Sequence, residues 1–304
     1  MALMMTSMQF RSEVEPILNK VVDGLYLKQQ YQYKNVFEEV QGIARAYHEE
    51  PYLYGFPAAP LMPEGTSVVY NQGGELYRAR FIYDNYGLAF ALTKILVEDG
   101  EAIPFAKTFA EYLTRAMIER KEVDTANVLN RAFNSAYAGG DGVSLISTAH
   151  PTASGGTQSN QLTTAAALSY TSLVQMLFQI RKAKDASGNY VNLDPKKLIV
   201  SPENEFEAET ILNSVLQSSN ANNGINAVKS LGRLKDATTL SRLTSSTAWF
   251  VQTTADYGLR VFNRRNPEKS MYGDFETDSM KYKQTMRYKP GWTEWRCLFG
   301  TAGQ

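Results

Sequence analysis

Few residues of this 304-residue chain could take part in catalysis. There are two histidines, His48 and His150, and one cysteine, Cys297. His150 closely follows Ser147 and Thr148, and a histidine base beside a hydroxyl nucleophile is the arrangement used in acyl transfer. Closeness in sequence does not place the ring beside the hydroxyl, and no Gly-x-Ser-x-Gly turn is present. We therefore interpret His150 as a structural loop residue.

Metal and nucleotide sites have no better support in the sequence. One cysteine and two distant histidines do not supply the ligand spacing of a zinc site. The glycine pairs at 73–74, 139–140 and 155–156 match neither the Walker A motif nor the dinucleotide-binding fingerprint, and they indicate turns. We expect Cys297 to be a small buried hydrophobe. The sequence predicts no catalytic residue, no cofactor and no metal.

Two groups of charged residues also favour structural explanations. Glu119, Glu122 and Asp124 lie on a helical pattern, where such acids usually form a solvated face. Arg264 and Arg265 end a short basic run that contains an aromatic residue and could touch nucleic acid. In a neutral chain we favour a charge-paired strand or a contact between subunits for this run.

Overall composition restricts the function further. The 31 basic residues balance 31 acidic ones, which counts against a protein that mainly grips nucleic acid. The 43% hydrophobic content supports a packed core, and at this length we expect two lobes. No apolar run is long enough to cross a membrane, and a single cysteine excludes an intrachain disulfide. Neutrality with 18 Tyr and 14 Phe fits a chain built to associate.

The first 84 residues predict an arm and a projecting hairpin. Short helices near 13–18, with Pro16 in the first turn, and over 36–46 are separated by an extended stretch. Four of the eleven prolines lie in 51–63, which excludes a helix there. Strands over 66–70 and 76–84 flank a glycine turn.

The remaining pattern alternates between helices and strands. Apolar spacing predicts a helix over 85–98 and a longer one over 103–136, roughly 50 Å in length. Ser169 and Ser201 are predicted to begin two further helices. Predicted strands are 197–200, 249–253, 279–288 and 293–299, with weak ones near Val228 and Leu234.

Several segments in this order resemble a known family. They are RAFNSAYAGGDGVSLISTAHP (131–151), SNQLTTAAALSYTSL (159–173), DASGNYVNLDPKKLIVSPENEFEAETIL (185–212), TSSTAWFVQT (244–253) and FETDSMKYKQTMRYKPGWTEWRCLFG (275–300). Over about residues 80–300 the chain resembles the tailed-phage major capsid protein, within the Mu-like major head subunit group. The resemblance rests on patterns of a fold family and carries no catalytic motif.

The resemblance implies an α+β chain of the Hong Kong 97 type. Residues 1–50 would form the N-arm, and 51–83 the extended β-hairpin loop. Residues 84–140 and 263–289 would form the peripheral domain, with its spine helix at about 104–136. Residues 141–262 and 290–304 would form the axial domain.

The implied function is self-assembly of the icosahedral shell around a double-stranded DNA genome, without sequence-specific DNA binding. The chain would form hexamers and pentamers in the virion capsid, would be assembled in the host bacterial cytoplasm, and would not be an enzyme. The arm begins close to Met1, so either a separate scaffold or an already processed chain is expected, with a portal and a decoration protein as further candidate partners. No lysine lies between Lys34 and Lys94, so we expect no lysine crosslink from the loop.

Candidate assembly residues follow from exposure and position. Aromatic residues on a projecting hairpin are typical of interfaces. We expect contacts between subunits at Tyr52, Tyr54, Phe56, Tyr70, Tyr77 and Phe81 of the hairpin, Asn220, Asn222 and Asn223 near the capsomer axis, and Arg264 and Arg265. Many modest contacts of this kind would stabilise a closed shell by multivalency.

Three alternatives stay open at this level. The same fold would serve an encapsulin-type compartment that encloses a cargo protein. A cytosolic α/β enzyme would use His150 as its base. A scaffold or minor head protein would not form closed shells by itself.

Overall fold

The structure is a computed structural model that describes residues 7–42, 45–93, 96, 102–217, 224–274 and 279–303. Its strands form two four-stranded sheets and two two-stranded ribbons. Each four-stranded sheet has its own helices, and the chain passes between the two halves several times. The division into two packed lobes stays a prediction.

The first sheet is built on two long strands near the C-terminus. Strands β10 (Leu259–Asp274) and β11 (Ser279–Trp292) pair in antiparallel fashion. Strand β1 (Glu38–Val40) lies parallel to β10, and β4 (Asp84–Thr93) lies antiparallel to β11. The order is β1-β10-β11-β4, so β4 forms one edge of the sheet.

Two helices pack together on this sheet. The longer is α2 (Ala102–Asn130), about 43 Å long at ~1.5 Å per residue, which confirms the predicted long helix although it ends earlier than expected. The other is α1 (Ser7–Lys28), which buries Val14, Leu18 and Val22 at a spacing of four residues. These contacts hold the N-terminal segment against its own chain.

The second sheet has the order β12-β9-β7-β8. Its strands are β7 (Pro195–Val200), β8 (Asp236–Thr239), β9 (Trp249–Thr253) and β12 (Leu298–Thr301). Around it lie the helices α3 (Tyr170–Arg181), α4 (Glu205–Asn213) and α5 (Ala227–Leu231), and the ribbon of β5 (His150–Pro151) with β6 (Thr157–Gln158). The predicted cap is confirmed, since the Ser169 hydroxyl accepts from the Ser172 N–H.

A two-stranded ribbon leaves this body. Strand β2 (Tyr47–Tyr54) pairs antiparallel with β3 (Gly74–Ile82), and residues 55–73 between them contain no strand. The predicted first strand over 66–70 is therefore wrong, and its place is taken by β2, which contains Pro51. Proline is tolerated there because each strand of a two-stranded ribbon has one unpaired edge.

Five further predictions of local structure are wrong. The predicted strand over 293–299 begins only at Leu298, because Trp295–Cys297 form a 3-10 helix. Residues 85–98 were expected to form a helix, yet 84–93 form β4, and residues 36–46 contain a turn and β1. Pro16 lies inside α1 instead of in the first turn of a short helix. Val228 lies in α5 and not in a strand.

Candidate assembly surfaces

The root of the ribbon is fixed by a buried polar cluster. Tyr52 of β2 and Tyr77 of β3 stack with ring centres 4.8 Å apart. Arg296 Nη1 donates to the Tyr52 hydroxyl at 2.9 Å and to Glu294 Oε1 at 2.8 Å, and the Tyr77 hydroxyl donates to the Thr293 carbonyl at 2.9 Å. Burial raises the pKa of Tyr52 to about 12. The ribbon therefore leaves the body in a defined direction.

Aromatic packing strengthens the same root. Phe81 is buried against Phe262, with ring centres 4.4 Å apart, and His48 packs on Phe262 at 4.8 Å. A Cβ atom at position 291 would overlap the ring of Phe81, so Gly291 permits this close approach. Glu50 accepts from Arg260 Nη1 at 2.7 Å. Both strands of the ribbon are thus held by side-chain contacts to β10 and β11.

The tip of the ribbon, residues 55–73 between β2 and β3, is exposed. Ser187 Oγ donates to the Gly55 carbonyl at 2.8 Å, and Asn189 Nδ2 donates to the Phe56 carbonyl at 2.9 Å. Beyond these bonds the large apolar side chains of the tip face solvent, with Tyr70 94% exposed. They are Phe56, Leu61, Met62, Val68, Val69 and Tyr70. A soluble monomer rarely leaves such a group uncovered, so the tip is a candidate contact surface.

These positions correct the list of candidate hairpin residues. Tyr77 and Phe81 are buried inside their own chain, and Tyr52 is partly buried in the root cluster. Their aromatic rings dock the ribbon because they meet Thr293, Phe262 and Arg296. Tyr54, partly exposed beside Gly74, and the exposed residues Phe56 and Tyr70 remain available to a neighbour. Asn220, Asn222 and Asn223 lie outside the described residues.

Arg264 and Arg265 lie at an irregularity in β10. The pairing register with β11 shifts on both sides of Arg265. Arg265 Nη2 donates to Asn85 Oδ1 at 2.9 Å, and its Nε lies 3.5 Å from a Glu268 carboxylate oxygen. Arg265 therefore has partners within its own chain, as expected for a charge-paired strand, and a contact with another subunit stays a prediction.

Of the three acidic residues of α2 that were predicted to form a solvated face, Glu119 is exposed, whereas Glu122 and Asp124 are engaged inside the chain. Glu122 is buried and accepts backbone N–H groups of Gln32 at 2.8 Å and Tyr33 at 3.2 Å. Asp124 accepts from the Tyr288 hydroxyl at 2.7 Å. Burial raises the pKa of Glu122, although these backbone donors favour its charged form. These carboxylates hold the N-terminal segment and β11 onto α2.

A partly buried ion pair was also missed by sequence reasoning. Lys121 Nζ donates to Glu39 Oε1 at 2.8 Å, and the Tyr33 hydroxyl donates to the same oxygen at 2.5 Å. Burial of Glu39 opposes ionisation, but the hydrogen bonds from Lys121 and Tyr33 prevail and lower the pKa of Glu39 to about 2. This carboxylate joins β1 to α2.

Glu39→Gln is expected to reduce stability at neutral pH and to flatten its loss in acid. The folded pKa of about 2 lies below the ordinary 4.5, so the contribution is complete above pH 4.5 and disappears as the pH falls through about 2. The shift corresponds to at most about 3 kcal/mol, because burial lowers the pKa of the partner Lys121 and offsets part of the gain. Denaturant unfolding of the unassembled chain at pH 7, 4.5 and 2.5 measures it.

Glu38→Gln is the matched control for this substitution. Glu38 lies on the same strand, but its side chain is mostly exposed and only approaches Arg260 at 3.7 Å. We expect this control to keep the acid dependence of the wild type. Equal acid dependence of wild type and Glu39→Gln would contradict the prediction.

His150 lies in a buried cluster and not beside a nucleophile. Its Nδ1 is 2.6 Å from Asp141 Oδ2, and its Nε2 is 3.2 Å from Asn160 Oδ1. Its ring stacks on Trp295 with centres 4.2 Å apart. Both ring nitrogens are therefore engaged by polar atoms of a structural network. Cys297 is buried, as predicted, and burial raises the pKa of its thiol.

The part of the chain that the structure describes contains no cluster of metal ligands and no membrane-spanning helix. Within it, no three His, Cys, Asp or Glu side chains gather as they would around a metal ion. No described helix combines the length and apolar character needed to span a membrane.

Comparison with known proteins decides the family. A family model described as phage capsid protein matches residues 84–300, more than two thirds of the chain. The chain belongs to the phage capsid protein family. Its match includes β4, the long helix, the second sheet and the two long strands. No curated protein sequence matches the chain.

Solved structures agree on the fold at low sequence identity. The procapsid of bacteriophage JBD30 shows 13% identity and a TM-score of 0.55 over 99% of this chain and 77% of that one. The capsid of Myoviridae phage XM1 shows 8% identity and a TM-score of 0.55 over 91% and 94%. A virus-like particle from Pyrococcus furiosus shows 10% identity and a TM-score of 0.51 over 95% and 99%.

The predicted Hong Kong 97-type α+β fold and the predicted capsid function are confirmed. The capsid protein is a structural subunit of a phage shell, located in the virion capsid, and it assembles with other subunits. The family match disfavours the encapsulin alternative, because the sequence similarity is to phage capsid proteins.

Proposed function

We propose that each subunit joins the shell by laying the tip of its extended loop on a neighbour, through non-covalent contacts and with no catalytic turnover. The observation that carries this proposal is the contrast between a root fixed by buried contacts and a tip with six exposed large apolar side chains. A rigid root lowers the entropy cost of presenting the tip to a neighbour.

The domain assignment belongs to the same proposal. Residues 84–140 and 263–289 are assigned to the peripheral domain because they supply most of the first sheet and its long helix. Residues 141–262 and 290–304 are assigned to the axial domain because they supply the second sheet. Residues 51–83 are the extended loop. For the N-arm, 1–50, the contacts of α1 with α2 indicate that much of it stays on its own subunit.

The proposed assembly comprises hexamers and pentamers, formed in the host bacterial cytoplasm. A separate scaffold, a portal and a decoration protein are proposed partners. The zero net charge supports a shell that encloses DNA without sequence-specific binding, because a neutral subunit neither holds nor repels the genome strongly. Salt-sensitive, tight DNA binding by the isolated chain would contradict this part of the proposal.

Tyr70→Glu is expected to abolish closed particles while leaving the folded subunit intact. Tyr70 is almost fully exposed, so the substitution removes nothing from the core but places a charge in the proposed contact. Negative-stain electron microscopy and sedimentation measure particles, and circular dichroism measures folding. The matched control is Tyr70→Phe, which keeps the ring and should assemble normally.

Normal particles from Tyr70→Glu would contradict the proposed role of the tip. Absence of rings, tubes and shells from the wild-type chain, with or without a scaffold, would contradict the shell-forming function itself. Since the loop holds no lysine, denaturing gels of mature particles should show no covalent ladder that passes through residues 51–83.

A further inference from the structure

Strand β4 has an unpaired edge that lacks the usual protection. It is the last strand of the first sheet in the described part of the chain. From Tyr86 to Thr93 it contains no charged residue and no proline. Exposed edges normally carry such residues, because free N–H and C=O groups otherwise recruit another strand. This edge is therefore suited to accept a strand from another molecule.

The surface beside this edge is apolar. Phe109 of α2 contacts Phe90 of β4, with ring centres 5.9 Å apart. Phe105 and Tyr112 share a helix face with Phe109 because they lie four residues before it and three residues after it. All three aromatic rings, and Leu88 of β4, are close to half exposed or more. Every second side chain of a strand added at this edge would lie over this patch.

The tip of the extended loop contains a segment that is suited to form a strand but is not part of one. Residues 66–72, Thr-Ser-Val-Val-Tyr-Asn-Gln, are rich in β-forming residues and uncharged, yet form no strand. Val68, Val69 and Tyr70 are all exposed. Side chains alternate along a strand, so Val68 and Tyr70 would share one face and Val69 the other. The face with Val68 and Tyr70 is the more apolar one.

We infer that residues 66–72 of one subunit add as a fifth strand to the β4 edge of a second copy of this chain. Val68 and Tyr70 then lie against Leu88, Phe109 and Tyr112. Residues 66–72 and 86–93 are both uncharged. The first form no strand and the second pair with β11 on one edge only, so the pairing satisfies the free backbone groups of each without bringing like charges together. This inference rests on the proposed function and specifies where the tip binds.

Mixed crosslinking tests the pairing directly. One full-length chain carries Leu88→Cys, and the second carries a cysteine at one position from 66 to 72; the two are mixed before assembly and oxidised. Cys297 is buried in both chains, and each chain assembled alone is the control. A disulfide requires Cα atoms within about 7 Å. We expect a mixed dimer on non-reducing gels with Val68→Cys or Tyr70→Cys, and at least tenfold less with Val69→Cys.

Hydrogen exchange of the unmodified protein gives a second readout that needs no substitution. In residues 67–71 and 86–92, the amides that point to the new pairing edge, every second one along each strand, are expected to exchange at least tenfold more slowly in particles than in unassembled chains. Particles in which residues 86–92 exchange as in the free chain, or in which no position crosslinks to Leu88→Cys, would overturn the inference and leave shell formation intact. A wild-type chain that forms no particles would overturn both.

Discussion

Replacing Arg296 with methionine is expected to lower the free energy of unfolding by about 3 to 5 kcal/mol and to release the root of the extended loop. Arg296 is almost completely buried and donates to Tyr52, to Glu294 and to the Lys184 carbonyl. Methionine fills similar space but leaves the buried carboxylate of Glu294 without its cation. An unpaired buried charge costs more than the lost hydrogen bonds alone.

The double variant Arg296→Met with Glu294→Gln separates these two effects. It removes the unpaired charge of Glu294, so we expect it to be more stable than Arg296→Met alone. Denaturant unfolding of the unassembled chain measures stability, and limited proteolysis within 47–82 measures release of the ribbon. Arg296→Met with wild-type stability, or a double variant no better than the single one, would contradict the role assigned to this ion pair.

Elements governed by local sequence were predicted well. Ser169 was predicted as a cap from its residue type just before an apolar helical pattern, and its hydroxyl does accept from the Ser172 N–H. The predicted strand at 249–253 and the long strand beginning at Ser279 agree with β9 and β11. In each case, the residues that decide the structure lie within one helical turn or one strand, so no distant contact was needed to recognise them.

Strand β4 shows why other elements were missed. Leu88, Leu92 and Ile95 have helical spacing, but Leu88, Phe90 and Leu92 also alternate as a strand requires. Phe90 packs against Tyr282 of the neighbouring strand, and that contact decides between the two patterns. Its partner lies almost two hundred residues away in sequence, beyond the reach of any local pattern.

The polar contacts of the root and of α2 were missed for the same reason. Glu122 was assigned to a solvated face because its neighbours on the helix are charged, yet Gln32 and Tyr33 cover it. One usable signal was present in the sequence. Glu294 and Arg296 interrupt an aromatic and apolar segment, and charges inside such a segment indicate a buried ion pair.

His150→Ala is the second substitution with a large expected effect, a loss of about 3 to 5 kcal/mol in the free energy of unfolding. The side chains of His150 and Asp141 are both fully buried, so alanine leaves the carboxylate without its partner. Removal of the ring also empties the space stacked on Trp295. The hypothesis of an enzyme that uses His150 as a base predicts instead a stable protein with lost turnover.

The orientation of Asn160 makes this effect specific. Its Nδ2 donates to the carbonyls of Leu145 at 2.7 Å and Leu298 at 2.9 Å, which leaves Oδ1 to accept from Ser147 N–H and to face His150 Nε2. Alanine at 150 therefore takes one contact from an amide that joins the 141–160 loop to the C-terminal strand. We expect the loss to reach the second sheet, because the amide of Asn160 also donates to Leu298 of β12.

A double-mutant cycle measures the pair itself. His150→Ala leaves the Asp141 carboxylate without its partner, and Asp141→Asn removes that carboxylate. The double variant should therefore be at least 1 kcal/mol more stable than the sum of the single losses predicts. Denaturant unfolding of the four unassembled chains gives the coupling. Additive losses would show that the two side chains act independently, and a stable His150→Ala chain that forms normal shells would contradict the structural role. If the two losses are coupled, His150 is present in this shell protein to stabilise the buried carboxylate of Asp141.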